Sequence, residues 1–328
     1  MISKRVFLSS IAAVSCGLKP ARSATPEAYP SHSITVVLPF SAGGPTDTLT
    51  RIIAAKMQDL LGQSVIIENV TGAAGTIGVG RVARAAADGY TISVGPMNSH
   101  VLTGAIYHLP FDLRRDFEPV ALLANNPSVV VSKKEVPAKD LKELIAWVKA
   151  NPDKILAGTS GVGAATHLGG ILFESLTGTR IQFVPYRGTG PSMQALVAGQ
   201  IDLIFDQLSS SLPQLQEGTI KSYAVMSKTR AVAAPDIPTV DEAGLPGFYL
   251  PVWNGMWVPK GTPKPIIDII NNAVVESLTD ATVRKRLADI GQEIYPREQQ
   301  TPEALRAYQE AEIEKWWPIV KAAGIKAE

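Results

Sequence analysis

Ile34-Thr35-Val36-Val37-Leu38-Pro39-Phe40-Ser41-Ala42-Gly43-Gly44-Pro45-Thr46-Asp47 reads as a strand, a glycine-rich turn and the start of a helix. Beyond it, Leu49, Ile52, Ile53, Met57, Leu60 and Leu61 recur at helical spacing. The arrangement returns mid-chain in altered form. Ile155-Leu156-Ala157 leads through Gly158-Thr159-Ser160-Gly161-Val162-Gly163-Ala164-Ala165-Thr166 into Leu168, Ile171, Leu172 and Leu176. Glycines let the backbone turn tightly, and the free N–H groups of a helix's first turn attract an anion. Two such loops facing one another would make a carboxylate clamp. No basic side chain lies beside the first loop, so neutral hydrogen bonds and the helix dipole would have to hold the charge.

Outward from these loops the chain alternates short apolar runs with helical periods, the pattern of strands joined by crossover helices. Strands are expected at 34–38, 64–68, 90–94 and 118–124, with helices at 46–61 and 76–86. Asn125-Asn126-Pro127 then marks an exit from a first lobe. The second half repeats the alternation: helix 139–149, strand 154–158, helix 164–177, strand 181–185, helix 190–198 and strand 201–205. A strand at 221–226 carries the chain back. A strand at 252–258 and helices to 277, at 280–289 and at 302–323 follow, with Pro318 expected to kink or end the last. This predicts an α/β protein of two lobes, residues 31–124 with 225–328 and residues 125–224, with a cleft at the carboxyl ends of the strands.

At 328 residues and 45% hydrophobic content the chain can bury a substantial core. Residues 1–23 read as an export signal: Lys4 and Arg5 precede a mostly apolar run from Val6 to Leu18, and Ala21-Arg22-Ser23 offers small residues for cleavage. Ser3-Lys4-Arg5-Val6-Phe7-Leu8 resembles a twin-arginine signal with one arginine replaced by lysine, which leaves both export routes open. Removing the segment takes away Lys4, Arg5, Lys19 and Arg22 and no acidic residue, moving the formal charge from +1 to −3. That balance argues against a nucleic-acid partner. The single cysteine, Cys16, lies in the signal, so the mature chain has no disulfide, thiol nucleophile or thiolate metal site. Cys16 as a lipidated residue is disfavoured by Ala13-Val14-Ser15 before it.

Three other motifs carry rival readings. Gly72-Ala73-Ala74-Gly75-Thr76-Ile77-Gly78-Val79-Gly80 follows a strand and opens a helix, but its close glycine pair comes last, which fails the dinucleotide fingerprint. Gly158-Thr159-Ser160-Gly161-Val162 resembles a nucleophile elbow with its second glycine one place early. With His167 and Asp206 it offers a triad, hence an exported serine hydrolase; otherwise Ser160 is a hydroxyl donor to a ligand and His167 a helix-start residue. Asp206, at the end of Ile201-Asp202-Leu203-Ile204-Phe205, reads either as a cap for the next helix or as a contact to the far part of a ligand. His100 and His108 lack metal-ligand spacing, so no metal is expected. Trp253 and Trp257 read as core.

Taken together, these segments resemble the Bug-type periplasmic solute-binding proteins of tripartite tricarboxylate transporters, from Ile34 to Ile325. The motifs are Pro39-Phe40 with Gly43-Gly44-Pro45-Thr46-Asp47, Asp88-Gly89-Tyr90-Thr91, Asp116-Phe117-Glu118-Pro119-Val120, and Gly161-Val162-Gly163 with Thr166-His167-Leu168. Val184-Pro185-Tyr186-Arg187-Gly188, Gly199-Gln200-Ile201-Asp202 with Phe205-Asp206, Pro238-Thr239-Val240 with Glu242-Ala243-Gly244, and Gly261-Thr262-Pro263 follow in order. The resemblance implies a two-lobed type II periplasmic binding protein fold that closes on a small organic acid. It implies a monomeric, non-catalytic receptor without cofactor, which hands its ligand to a membrane permease or presents it to a sensor. Carried onto this chain, the first loop supplies Phe40, Ser41, Ala42, Gly43, Thr46 and Asp47. The second supplies Thr159, Ser160, Gly161, Gly163, Thr166 and His167, while Asn98, Ser99 and Asp206 select the rest of the ligand. Arg187 and Asp206 bear on the choice among dicarboxylates, amino acids and aromatic acids. Val70-Thr71 stands where the family often has Arg-Pro, and Ala74 replaces a common glycine.

Overall fold

The computed structural model describes residues 29–322 and 324–325; the expected export signal lies outside them. The first lobe begins with β1 (Ile34–Leu38), α1 (Pro45–Leu61), β2 (Val65–Asn69), α2 (Thr76–Ala83) and β3 (Thr91–Pro96). A π-turn (Asn98–Leu102) and the short α3 (Thr103–Ile106) follow. β1 pairs in parallel with β2 and with β3. Its alternation is plain: Val36 and Leu38 pack toward α1, while Val37 joins the opposite face.

β4 (Phe117–Lys133) is one strand of 17 residues and belongs to both lobes. The strand expected to end at 124 runs on through Asn125-Asn126-Pro127. Pro127 stands opposite Pro251, the first residue of β9 (Pro251–Pro259). Neither ring has an N–H to give, so the ladder to β9 stops there, and Ser128 pairs instead with Gln207 of the second lobe. Two prolines therefore change the strand's partner without ending the strand.

The second lobe contains α4 (Leu141–Ala150), β5 (Leu156–Thr159), α5 (Ala165–Thr177), β6 (Gln182–Pro185), α6 (Thr189–Val197), β7 (Leu203–Gln207), α7 (Leu208–Gln216) and β8 (Ile220–Val225). β5 pairs in parallel with β6 and β7, and β4 lies antiparallel between β7 and β8. After β8 an irregular stretch packs Phe248 against Phe173 and Phe205, with ring centroids 5.8 and 6.0 Å away. β9 then enters the first sheet between β3 and β4, antiparallel to both.

α8 (Lys264–Thr279), α9 (Ala281–Asp289), β10 (Glu293–Ile294) and α10 (Pro302–Ala322) complete the chain. α10 runs on past Pro318, because Ile313, Trp316 and Val320 anchor it in the core on both sides of the missing N–H. Trp253 and Trp257 are fully buried, as expected, and their indole N–H groups reach Glu312 and Gln309 of α10. Among the described residues no helix is long and apolar enough to cross a membrane.

Candidate functional site

The carboxyl ends of β1, β3, β5, β6 and β7 meet around one narrow cavity. Phe40, Ser41 and Gly44–Asp47 close it from the β1–α1 loop, and Pro96 and Asn98 from the end of β3. Ser160, Ala165, Thr189 and Gln207 face them from the second lobe. Pro45 opens α1, Ala165 opens α5, Thr189 opens α6, and Gln207 immediately precedes α7. Helix N-termini thus surround the cavity, each with amides that have no partner within its own helix.

The two glycine loops are built alike. In the first, Gly43 N–H donates to Asp47 Oδ2 at 2.9 Å, four residues on. In the second, Gly163 N–H donates to His167 Nδ1 at 3.1 Å, again four residues on. Asp47 also accepts from Arg51 Nε at 2.9 Å and from Asn69 Nδ2 at 3.0 Å. Burial opposes its charge, but the bonds from Arg51, Gly43 and Asn69 prevail and hold its pKa below the usual 3.8. The His167 imidazole is pushed below 6.5 by burial, and the bond from Gly163 assigns its proton to Nε2.

Threonines fix each loop from behind. Thr46 Oγ1 donates to Asn254 Oδ1 at 3.0 Å. Thr166 Oγ1 accepts the Ser160 N–H at 2.8 Å and lies 3.0 Å from Ser160 Oγ. Thr159 Oγ1 accepts the Gly161 N–H at 3.3 Å. Four lining side chains keep their polar ends without a protein partner among the described residues: Ser41 and Asn98 from the first lobe, Thr189 and Gln207 from the second. The lobes touch where the α6 turn meets the first loop. Gly188 has φ 141°, and a Cβ there would overlap the Ser41 hydroxyl.

Of the residues expected at the site, Phe40, Ser41, Thr46, Asp47, Asn98 and Ser160 line the cavity. Gly43, Thr159, Gly163, Thr166 and His167 do not line it but hold the loops in shape through their hydrogen bonds, and Ala42 is exposed. Gly161 borders an adjoining chamber. Two expectations are corrected. Ser99 is turned inward: its hydroxyl donates to Pro96 O at 3.0 Å and lies 3.0 Å from His100 Nδ1. His100 in turn stacks on Trp257 at 3.9 Å, reaches Ser93 through Nε2, and has its pKa pushed down to about 3 by burial. Asp206 lies on the face of β7 opposite Gln207 and accepts from Ser211 Oγ at 2.6 Å in α7. Burial raises its pKa to about 6, against the bonds from Ser211, Gln207 N–H and Ser210.

Thr189 and Gln207 were not anticipated. Thr189 opens the helix that follows the expected strand at 181–185, at the glycine turn Gly188. The period-2 alternation of β7 sets Gln207 and Asp206 on opposite faces, but both faces are buried and apolar, so the sequence does not say which one meets the cavity.

This geometry does not assemble a triad. Ser160 Oγ is paired with Thr166, His167 Nδ1 with Gly163, and Asp206 with Ser211. Among the described residues no group of His, Cys, Asp and Glu is arranged to hold a metal. Asp47 is the one charged residue on the cavity wall, and Arg51 balances it. What lines the cavity is a cradle of amides, hydroxyls and carboxamides between two lobes, a donor set suited to a bound solute.

Residues 49–325 match the model of the tripartite tricarboxylate transporter family receptor, TctC, and the chain belongs to that family. The periplasmic binding protein BugD is 38% identical, with a TM-score of 0.88 over 91% of this chain and 100% of its own. MatC from Rhodopseudomonas palustris, solved with bound malate, is 40% identical, with a TM-score of 0.86 over 89% of this chain and 100% of its own. R. palustris Rpa4515, solved with adipate, is 34% identical, with a TM-score of 0.86 over 91% of this chain and 100% of its own. The family is one of transporter receptors and BugD is a periplasmic binding protein, and with them the two-lobed fold and the non-enzymatic class are established.

Proposed function

We propose that the chain is an exported receptor that captures a small carboxylate-bearing metabolite between its lobes and delivers it to a tripartite tricarboxylate transporter permease. One observation carries the reading: helix N-termini from both lobes converge on a cavity whose wall bears no cation. Such a wall suits one anionic group held by neutral donors. Each dipole contributes roughly 0.3 to 1 kcal/mol, and each hydrogen bond to a charged group about 1.5 to 3 kcal/mol.

In this reading the first turns of α1 and α5 supply amides, and Ser41, Asn98, Ser160, Thr189 and Gln207 supply side-chain groups. Because the donors are split between lobes, open loops bind weakly and closure brings both sets to one ligand. The lobes divide at β4 and again at Pro251, since the stretch before Pro251 packs Phe248 onto the second lobe. Residues 1–23 direct export to the periplasm. The malate and adipate of the related receptors support an organic acid as ligand.

A thermal-shift screen against aliphatic di- and tricarboxylates, acidic amino acids and aromatic carboxylates, followed by calorimetry, tests this. One acid is expected to stabilise the protein saturably, by about 2.7 kcal/mol at a hundredfold excess over Kd. The gain should vanish in Thr189→Val. Inertness toward every class would count against the proposal.

A further inference from the structure

Apart from the bonds made by β4, a single hydrogen bond joins the two lobes among the described residues: the Tyr107 hydroxyl donates to Val162 O at 2.9 Å. No ion pair among the described residues crosses from one lobe to the other. On the second lobe the rest of the contact is glycine. Gly161 faces the Ala74 backbone, Gly188 fits against Ser41, and Gly163 packs so closely on Ile106 that a Cβ there would overlap Ile106 Cδ1. Glycines let the lobes approach but bring no side chain to bury, so they add little attraction of their own. The directional hold falls to Tyr107.

The first lobe fixes Tyr107 in place. It ends α3, and its N–H donates to Thr103 O at 2.9 Å. Thr103 Oγ1 donates to Ser99 O at 2.9 Å, tying α3 to the turn before it. Gly104 lies against Trp317 of α10, where a Cβ would stand 2.6 Å from the ring, and the Trp317 N–H is anchored on Val101 O at 2.8 Å. A braced element of one lobe thus reaches a loop carbonyl of the other. Burial raises the Tyr107 pKa above the usual 10, so the phenol keeps its proton and stays a donor throughout the neutral range. Tyr107 does not line the inner cavity.

We propose that Tyr107 is the latch of the closed receptor, a positioning residue that acts on the opposite lobe and sets how long a ligand is held. The inference rests on the ligand being taken up between the lobes. A ligand enters the open form, in which the bond to Val162 is not made, so the latch leaves association untouched. The bond must break before the lobes part, so it slows dissociation. Because the latch biases closure and touches no ligand atom, it strengthens the binding of every acid by one common factor.

Tyr107→Phe keeps the ring and deletes the hydroxyl. Stopped-flow and calorimetric binding of succinate, glutarate and adipate should show dissociation faster and Kd higher by about two- to tenfold, the effect of one neutral hydrogen bond. The factor should be the same for each acid that binds, with association rates and the ligand-free melting temperature unchanged. Spin labels on Leu60→Cys in α1 and Leu176→Cys in α5, both exposed, report the separation of the lobes, since the one native cysteine lies in the expected export signal. Their distances should lengthen in Tyr107→Phe. Equal dissociation rates with unchanged distances would overturn the latch. A factor that differs among the acids would make Tyr107 a ligand contact and overturn it as well, and a lowered ligand-free melting temperature would make its role merely structural. Failure of every acid to bind would overturn the proposed function instead, and the latch would then stand or fall on the distances alone.

Discussion

The two glycine loops solve one problem with different chemistry. Each ties a glycine amide to the side chain four residues later, Gly43 to Asp47 and Gly163 to His167. The first acceptor is charged and needs Arg51 and Asn69 to remain so while buried. The second is neutral, needs no counter-ion, and accepts only while its ring is unprotonated. An acidic acceptor makes a loop robust to acid at the expense of a supporting network. An imidazole keeps the loop simple and makes it sensitive to pH.

The largest expected effect comes from removing the charged acceptor. Asp47→Ala leaves Gly43, Asn69 and Arg51 without their shared partner and should destabilise the fold by about 3 kcal/mol in urea melts, discounted for the half-exposed Arg51. Organic acid binding should be lost with it. A wild-type melt from Asp47→Ala would break the comparison.

Asp206 shows what a buried aspartate becomes without an arginine. Its folded pKa, raised to about 6 chiefly by burial, lies above the ordinary 3.8. Its favourable contribution is therefore complete below about pH 4 and is lost as pH rises through 6, by roughly 2 to 3 kcal/mol. Asp206→Asn should remove that slope when urea melts at pH 4.5 and 7 are compared. An unchanged slope would mean that another group carries it.

His167 runs the other way. Burial lowers its pKa, so the stability that the neutral ring supplies is complete above about 6.5 and is lost as pH falls through the lower folded value. Ligand affinity should therefore decline as pH falls through that lowered value, while the first loop still holds, and His167→Gln should flatten the decline. His167→Ala should cost about 1 kcal/mol at pH 7.5, the value of one neutral hydrogen bond. The smallest effect is at the cleft wall. Ala74→Gly relieves a left-handed alanine and should stabilise the protein by about 0.5 to 1 kcal/mol; a loss of stability would show that its buried methyl matters more.

Much of this was readable from residues alone, because glycine turns and apolar periods are local signals. The strand, turn and helix at 34–61 and 155–177 needed nothing beyond their own sequence. What escaped depends on partners. Asn125-Asn126-Pro127 looks like a strand end until Pro251 is placed opposite Pro127. Ser99 looks available until His100 folds back onto it. Pro318 looks terminal until the core contacts beyond it are counted. The strand at 181–185 and the helix at 190–198 are equally local signals, but that Thr189 between them faces the cavity depends on how the two lobes meet.

The central claim is that the inner cavity recognises a carboxylate through neutral donors. The most direct test is calorimetric titration of the protein with a carboxylate that stabilises it and with the matching amide, which keeps the shape and removes the charge. Saturable binding of the acid is expected, with at least a hundredfold weaker binding of the amide, about 2.7 kcal/mol. Equal affinity for the two would show that the converging helix N-termini do not read charge, and would contradict it.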